Sequence, residues 1–419
     1  MKTTTKTIHL MLLCFFCSSS IYCQTTDRFV YPNAQSPDFA DIQSAIDAAS
    51  NGDNIYIDTA SFIGNIDIDK TLSLYPLHKG GMYTINGAIT LSLINNSTIY
   101  IQGLNGGGVS SSFSGNYTDS ASVILNGCEF SSAVSINDNY SIRSFIYYST
   151  FNSTVNLDAC ELIGNTFNGN VTSNPNQYTG NPYPPSIKIY ANNFSYINTQ
   201  LSITYAYNSN IHIANNFFYS TSSGKNISIN ANNNADKIII ENNIFKHTYS
   251  SNSSYYYYLV EVYDADFLFI RNNYFDVHSY AVQYGYQRGV ITSSIGIYDF
   301  QYNFTNTSDS YFQEGSGTIQ TIANNTYSTT LNYGTTSQNS LGNVTTSAGQ
   351  NVGSQLPECR DIDNTQNDIG TYGGPHSWSN YHNSSSSMAQ ILDLEIPYYQ
   401  IVLPGTQINF KSKAIHKNE

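Results

Sequence analysis

Apolar and polar residues alternate along the chain in short runs. They read "SIKIY" (186–190), "NIHIA" (210–214), "KIIIE" (237–241), "FLFIR" (267–271) and "SIGIY" (294–298). A period of two predicts strands with one buried face, and no helical period lies between the runs. An aromatic follows most runs after a polar turn. The series is "GCEF" at Phe130, "YSTF" at Phe151, "GNTF" at Phe167 and "ANNF" at Phe194. It continues with "ANNFF" at Phe217 and Phe218, "ENNIF" at Phe245, "RNNYF" at Phe275, "QYNF" at Phe304 and "ANNTY" at Tyr327. The aromatics recur every 16 to 30 residues. Short strands, polar turns and a loose repeat predict a solenoid in which each strand pairs in parallel with its equivalent one coil below, about 4.8 Å away.

Stacking equivalent positions gives aliphatic columns of Ile187/Ile189, Ile211/Ile213, Ile238/Ile240 and Leu268/Ile270. It gives an aromatic column of Phe194, Phe217, Phe245 and Phe275. The Asn pairs fall at the corners, where left-handed backbone is needed and Asn tolerates it best after Gly. Stacked amides also hydrogen-bond along an axis. Glu241 and Arg271 precede two successive pairs, so they are expected side by side as an ion pair.

Two further stretches carry a resemblance. In "DFADIQSAIDAASNGDNIYIDTASFIGNIDIDKTLSLYP" (38–76), Ile42, Ala45, Ile46 and Ala49 make the apolar face of a short helix, with Asp38 as its expected N-cap. Near the other end stands "DIDNTQNDIGTYGGP" (361–375). With the repeats, these make the chain resemble the right-handed parallel β-helix, or pectate lyase-like, superfamily. The second stretch is similar to a segment that closes many such proteins secreted by Bacteroidetes-type bacteria. The resemblance implies an all-β right-handed parallel β-helix over residues 28–380, with a short N-terminal capping helix. A linker (381–390) and a C-terminal β segment (391–419, two strands around Pro404-Gly405) follow, as a cap or the start of a β-sandwich module.

Composition narrows the function. The 419 residues carry a formal net charge of −13 with only 11% charged residues, and 36 Tyr and 21 Phe. Scattered Lys and Arg give no basic footprint, which argues against nucleic acid. "MKTTTKTIHLMLLCFFCSSSIYCQ" opens the chain with Lys2, Lys6 and an apolar run too short to span a bilayer. It reads as a signal peptide over 1–23, with acylation of Cys23 as the rival reading, and it implies a secreted or cell-surface protein without a transmembrane segment. Cys128, Cys160 and Cys359 are then left. They form no metal pattern, and Cys128 and Cys160 read as small buried side chains.

Candidate chemistry concentrates in 241–288. If Val260 and Val262 point inward, Glu261 and Tyr263 point out, with Ser228 and Asn230 beside them and Ser202 and Thr204 one coil further. Hydroxyls, amides and tyrosines suit sugar contact. The expected substrate-binding residues are Tyr255, Tyr256, Tyr257, Glu261, Tyr263 and Arg288. By resemblance the fold also houses polysaccharide lyases, which use a basic side chain and often calcium. That implies Arg271 or His278 as catalytic candidates and Glu261, Asp264 and Asp266 as a Ca2+ set. The hydrolase, epimerase and alginate- or chondroitin-lyase patterns of the fold are absent from the sequence. The first reading is therefore a non-catalytic exported β-helix that binds polysaccharide or acts at the cell surface. The alternative is a calcium-dependent lyase acting on uronate chains by β-elimination.

Overall fold

The computed structural model describes residues 25–115, 121–137, 142–175, 186–204, 209–222, 224–248, 257–277, 287–305, 313–314, 317–327, 350–361, 363–381, 389–395 and 411–416. The expected signal peptide, most of the expected linker, the Pro404-Gly405 turn, Tyr255, Tyr256 and His278 lie outside these residues.

The chain winds into a right-handed parallel β-helix whose strands all pair in parallel within one continuous sheet. Each coil contributes three short strands, so the solenoid has three faces. The first face includes Ser186–Tyr190 and Asn210–Ala214, which pair with each other. The second includes Asn193–Ser195, Phe217–Ser220 and Ile244–His247. The third includes Leu201–Thr204, which pairs with the start of Ile227–Glu241. Strands Ile227–Glu241, Tyr257–Arg271 and Gln287–Gln301 run from the third face round a bend onto the first.

The aliphatic columns follow the alternation. Ile187, Ile211, Ile238 and Leu268 are register partners, as are Ile189, Ile213, Ile240 and Ile270. Each buried Ile contributes roughly 1.5–3 kcal/mol. On the second face Phe130, Phe151, Phe167, Phe194, Phe218, Phe245 and Phe275 stack with ring centroids 4.7–5.3 Å apart. The column therefore takes Phe218 and not Phe217. Phe217 is in register with Asn193 and faces outward into a second apolar cluster with Ile244, Tyr274 and Phe304.

The reason is a one-residue offset in what the Asn pairs do. The left-handed corner is taken by Ala191, Asn215, Asn242 and Asn272, with φ of 53°, 58°, 55° and 56°. The next residue in each coil points inward and builds a ladder: Asn165, Asn192, Asn216, Asn243, Asn273, Asn303, Asn325. The backbone N–H and Nδ2 of each donate to Oδ1 of the next, at 2.9–3.2 Å. Asn192-Asn193 is thus shifted by one from Asn215-Asn216. The two residues of a pair have different jobs, and both are structural.

At the N-terminal end a short helix, Ile42–Ala48, buries Ile42, Ala45 and Ile46. Its N-cap is Asp41, whose Oδ1 accepts from Ser44 N at 2.8 Å, and not Asp38. The first strand is fixed by Asp53, which accepts from Thr26 N and Ser50 N and pairs with Arg28 at 3.1 Å.

Residues 350–381 do not add a coil. They run back along the outer corner between the first and second faces, opposite to the coil direction. Ser354 N donates to Asn272 Oδ1 and Gly370 N to Asn272 O. Asn242 Nδ2 donates to Asn367 Oδ1 and Asp368 O, and Asn215 Nδ2 to Thr371 O and Gly373 O. Ile369, Trp378 and Tyr381 close over Tyr147, Ile163, Tyr190, Ala214 and Phe217. This strap explains the glycine pair before Pro375. A Cβ on Gly373 would lie 1.8 Å from Asp368 O, and Gly374 has φ +71°. Further on, Ala389–Glu395 and Lys411–His416 form an antiparallel hairpin.

Candidate functional site

Two places gather polar side chains: the third face, and the corner under the strap.

On the third face the outward residues form one column. Asp67, Thr90, Ser110, Ser135, Asn156, Thr172, Ser202, Ser228 and Glu261 are successive register partners, one per coil. Thr204, Asn230, Tyr263 and Ser293 run beside its C-terminal part. From Thr90 to Ser228 the column is hydroxyl or amide with no charge. These positions are partly or fully exposed because alternation sends their neighbours inward.

Glu261 ends the neutral run. It is 8% exposed. Its Oε2 pairs with Lys225 Nζ and accepts from Ser228 Oγ at 3.0 Å, and its Oε1 accepts from Tyr263 OH at 2.8 Å. Burial pushes its pKa up. The hydrogen bonds from Lys225, Tyr263 and Ser228, with the Lys225 charge, outweigh that and hold it below the usual carboxylate range. Tyr263 is pushed up to about 12, by burial and by donating to the ionised Glu261. Lys225 was missed in the sequence. It sits in a turn, before the strand, where alternation assigns no direction.

The expected calcium set is not assembled. Asp264 occupies the left-handed bend with φ 63°, and Asp266 is exposed beyond it. Glu261 is already committed to Lys225. Among the described residues no group of three or more His, Cys, Asp or Glu is arranged to hold a metal ion. Tyr257 and Arg288 lie on the paired third-face strands, Tyr257 beside Gln287 and Tyr258 beside Arg288.

Arg271 lies elsewhere, at the end of a first-face strand beneath the strap. Glu241 and Arg271 are direct register partners, as the sequence predicts. The carboxylate's 2.8 Å partner, however, is His212 Nε2. His212 Nδ1 lies 2.9 Å from Tyr190 OH, and the His376 ring of the strap stacks on Tyr190 at 4.1 Å. Burial alone would raise Glu241. The His212 hydrogen bond and the charges of His212, Arg271 and His376 override it and lower the pKa to about 2. Arg271 is 8% exposed. Its Nη1 lies 3.7 Å from Cys359 Sγ, and its guanidinium sits 4.9 Å from the Phe269 ring centroid. Arg271 thus lies on the first face against the strap's Cys359, withdrawn from solvent and away from the Glu261 column.

Cys128, Cys160 and Cys359 are free thiols and buried. Burial pushes Cys128 and Cys160 up to about 12, which leaves them unreactive. Among the described residues no helix is long and apolar enough to cross a membrane. Comparison with protein-family models, curated proteins and solved structures finds no match to this chain.

Proposed function

We propose that this is an exported, non-catalytic β-helix that binds polysaccharide along its third face. The observation that carries the reading is the column from Thr90 to Ser228, neutral hydroxyl and amide side chains one strand spacing apart. Such groups donate and accept, and they match sugar hydroxyls without a charge requirement. Tyr263 adds an aromatic ring at one end of the column. The strap supports the same choice of face, since it occupies the corner between the other two. The pectate lyase-like resemblance and the export signal fit a protein that works outside the cell, secreted or at the surface.

The lyase alternative asks for a base and a cation beside the bound uronate. Arg271 lies under the strap, and Glu261 is ion-paired. A chain of net charge −13 with a neutral column also repels a polyanion more than it attracts one.

The test uses the purified protein on two sets of polysaccharide. With pectate, alginate or chondroitin plus calcium, absorbance of unsaturated uronide is expected to stay flat. In gels containing neutral polysaccharides, migration is expected to be retarded. A sustained absorbance rise, abolished in Arg271→Ala, would overturn the non-catalytic reading. Unretarded migration in every gel would overturn the binding reading.

A further inference from the structure

The strap carries its own carboxylates. Asp361 is half-buried and pinches the strap closed: its Oδ1 accepts from Gly374 N at 2.6 Å and its Oδ2 from Asp368 N at 3.1 Å. Asp368 Oδ1 accepts from Asn351 N at 2.7 Å, and Asp363 caps Thr365 nearby. Three negative charges therefore crowd one stretch of a segment held to the solenoid by hydrogen bonds to corner asparagines and by the apolar contacts of Ile369, Trp378 and Tyr381.

We propose that residues 350–381 are a pH-responsive strap, docked most firmly in mild acid and loosened as the pH rises toward neutral. Asp361 sets the sign. Burial, with repulsion from Asp368 and Asp363, raises its pKa to about 6, against its hydrogen bonds from Gly374 and Asp368. Burial raises Asp368 as well. A carboxyl whose folded pKa lies above its unfolded one stabilises the fold below the unfolded value. That stabilisation is lost as pH rises through the folded value. Protonated Asp361 keeps a carbonyl oxygen for the two N–H groups and sheds the repulsion.

The other charged groups at the interface do not reverse this. On the solenoid they are Glu161, Lys188, His212, Glu241 and Arg271, and on the strap Arg360, Asp363 and His376. His212 and His376 both lie by the Glu241 carboxylate, and Lys188 is the register neighbour of His212. Glu241 stays ionised down to about pH 2, well below the window. Arg360 is exposed and bonds Asn364 O.

The chain reports on its own strap. Trp378, the one tryptophan in the sequence, is 3% exposed under docked strap conditions. Acrylamide quenching of its fluorescence in the full chain should be weak at about pH 4. It should grow between about pH 4 and 6.5, from the ordinary carboxylate range through the folded value, as the docking equilibrium falls by roughly ten- to a hundredfold. Asp361→Asn should keep quenching weak across the range with the far-ultraviolet circular dichroism unchanged. If that variant misfolds, Asp368→Asn, which removes one repelling charge and so brings Asp361 closer to its ordinary value, should shrink the pH-dependent rise in quenching. Quenching that is flat with pH in the native chain, or that grows toward acid, would overturn the proposal. So would an undiminished pH-dependent rise in a folded Asp361→Asn or Asp368→Asn variant.

Discussion

The adjacent residues Asn242 and Asn243 should respond very differently to truncation. Asn243 is fully buried. Its Nδ2 donates to Ile213 O and Glu241 O at 2.9 Å and to Asn273 Oδ1 at 3.0 Å; its Oδ1 accepts Asn216 N at 2.9 Å and Asn216 Nδ2 at 3.0 Å. Several of these groups keep another partner in Asn243→Ala. Glu241 O still accepts from Asn215 N, and Asn216 Nδ2 still reaches Ile189 O and Ala214 O. The Asn216 N–H loses its partner inside the coil, while the Ile213 carbonyl is left with its strand pairing alone. A buried unsatisfied group costs about 1–3 kcal/mol and each further lost hydrogen bond about 1 kcal/mol, so the expected loss is about 2–4 kcal/mol. Asn242→Gly removes only strap contacts, and glycine accepts the φ of 55° without strain. It should shift the guanidinium midpoint followed by circular dichroism by about 1 kcal/mol or less, while exposing Trp378 at lower denaturant. Equal losses for the two variants, or a loss below about 1 kcal/mol in Asn243→Ala, would refute the division between ladder and corner.

Glu241→Gln removes the carboxylate shared by His212 and Arg271 and should cost about 3 kcal/mol at neutral pH, by thermal unfolding, because it strands buried positive charge. The native Glu241 pKa is depressed to about 2, so its contribution is present above the ordinary carboxylate range and fades as pH falls toward 2. The gap between variant and native chain should therefore close in acid, and an equal gap at pH 2 and pH 7 would contradict the pairing. Lys225→Met leaves Glu261 with Ser228 and Tyr263 as donors. Because Lys225 is partly exposed, the expected loss is about 1 kcal/mol, and a loss several times larger would mean that Lys225 does more than pair with Glu261.

The sequence made the solenoid legible because inward positions repeat with a strict period of two. A run such as "NIHIA" cannot present Ile211 and Ile213 outward without burying polar neighbours. Parity at the corners was harder to read. Ala191 takes a left-handed corner that two coils later belongs to Asn242, so "ANNF" and "ENNIF" align by letters while standing one residue apart in space. That offset moved Phe217 out of the column. The third-face partners of Glu261 and Tyr263 were readable from alternation. The Lys225 pair was not, since a turn carries no period. Nor was the strap: its docking depends on corner asparagines of distant coils, and nothing in 361–375 encodes which corner it meets. Arg271, a catalytic candidate in the sequence, lies buried on the first face against the strap's Cys359.

The most direct measurement is the affinity for a neutral polysaccharide that retards the native protein, compared across two charge-insertion variants. Ser135→Glu/Thr172→Glu places two carboxylates in the third-face column, while Thr98→Glu/Ser122→Glu places the same charge on the first face. The third-face variant should lose at least about tenfold in affinity with its unfolding temperature retained, and the first-face variant should bind as the native chain does. Undiminished binding by a folded third-face variant would contradict the assignment of that face.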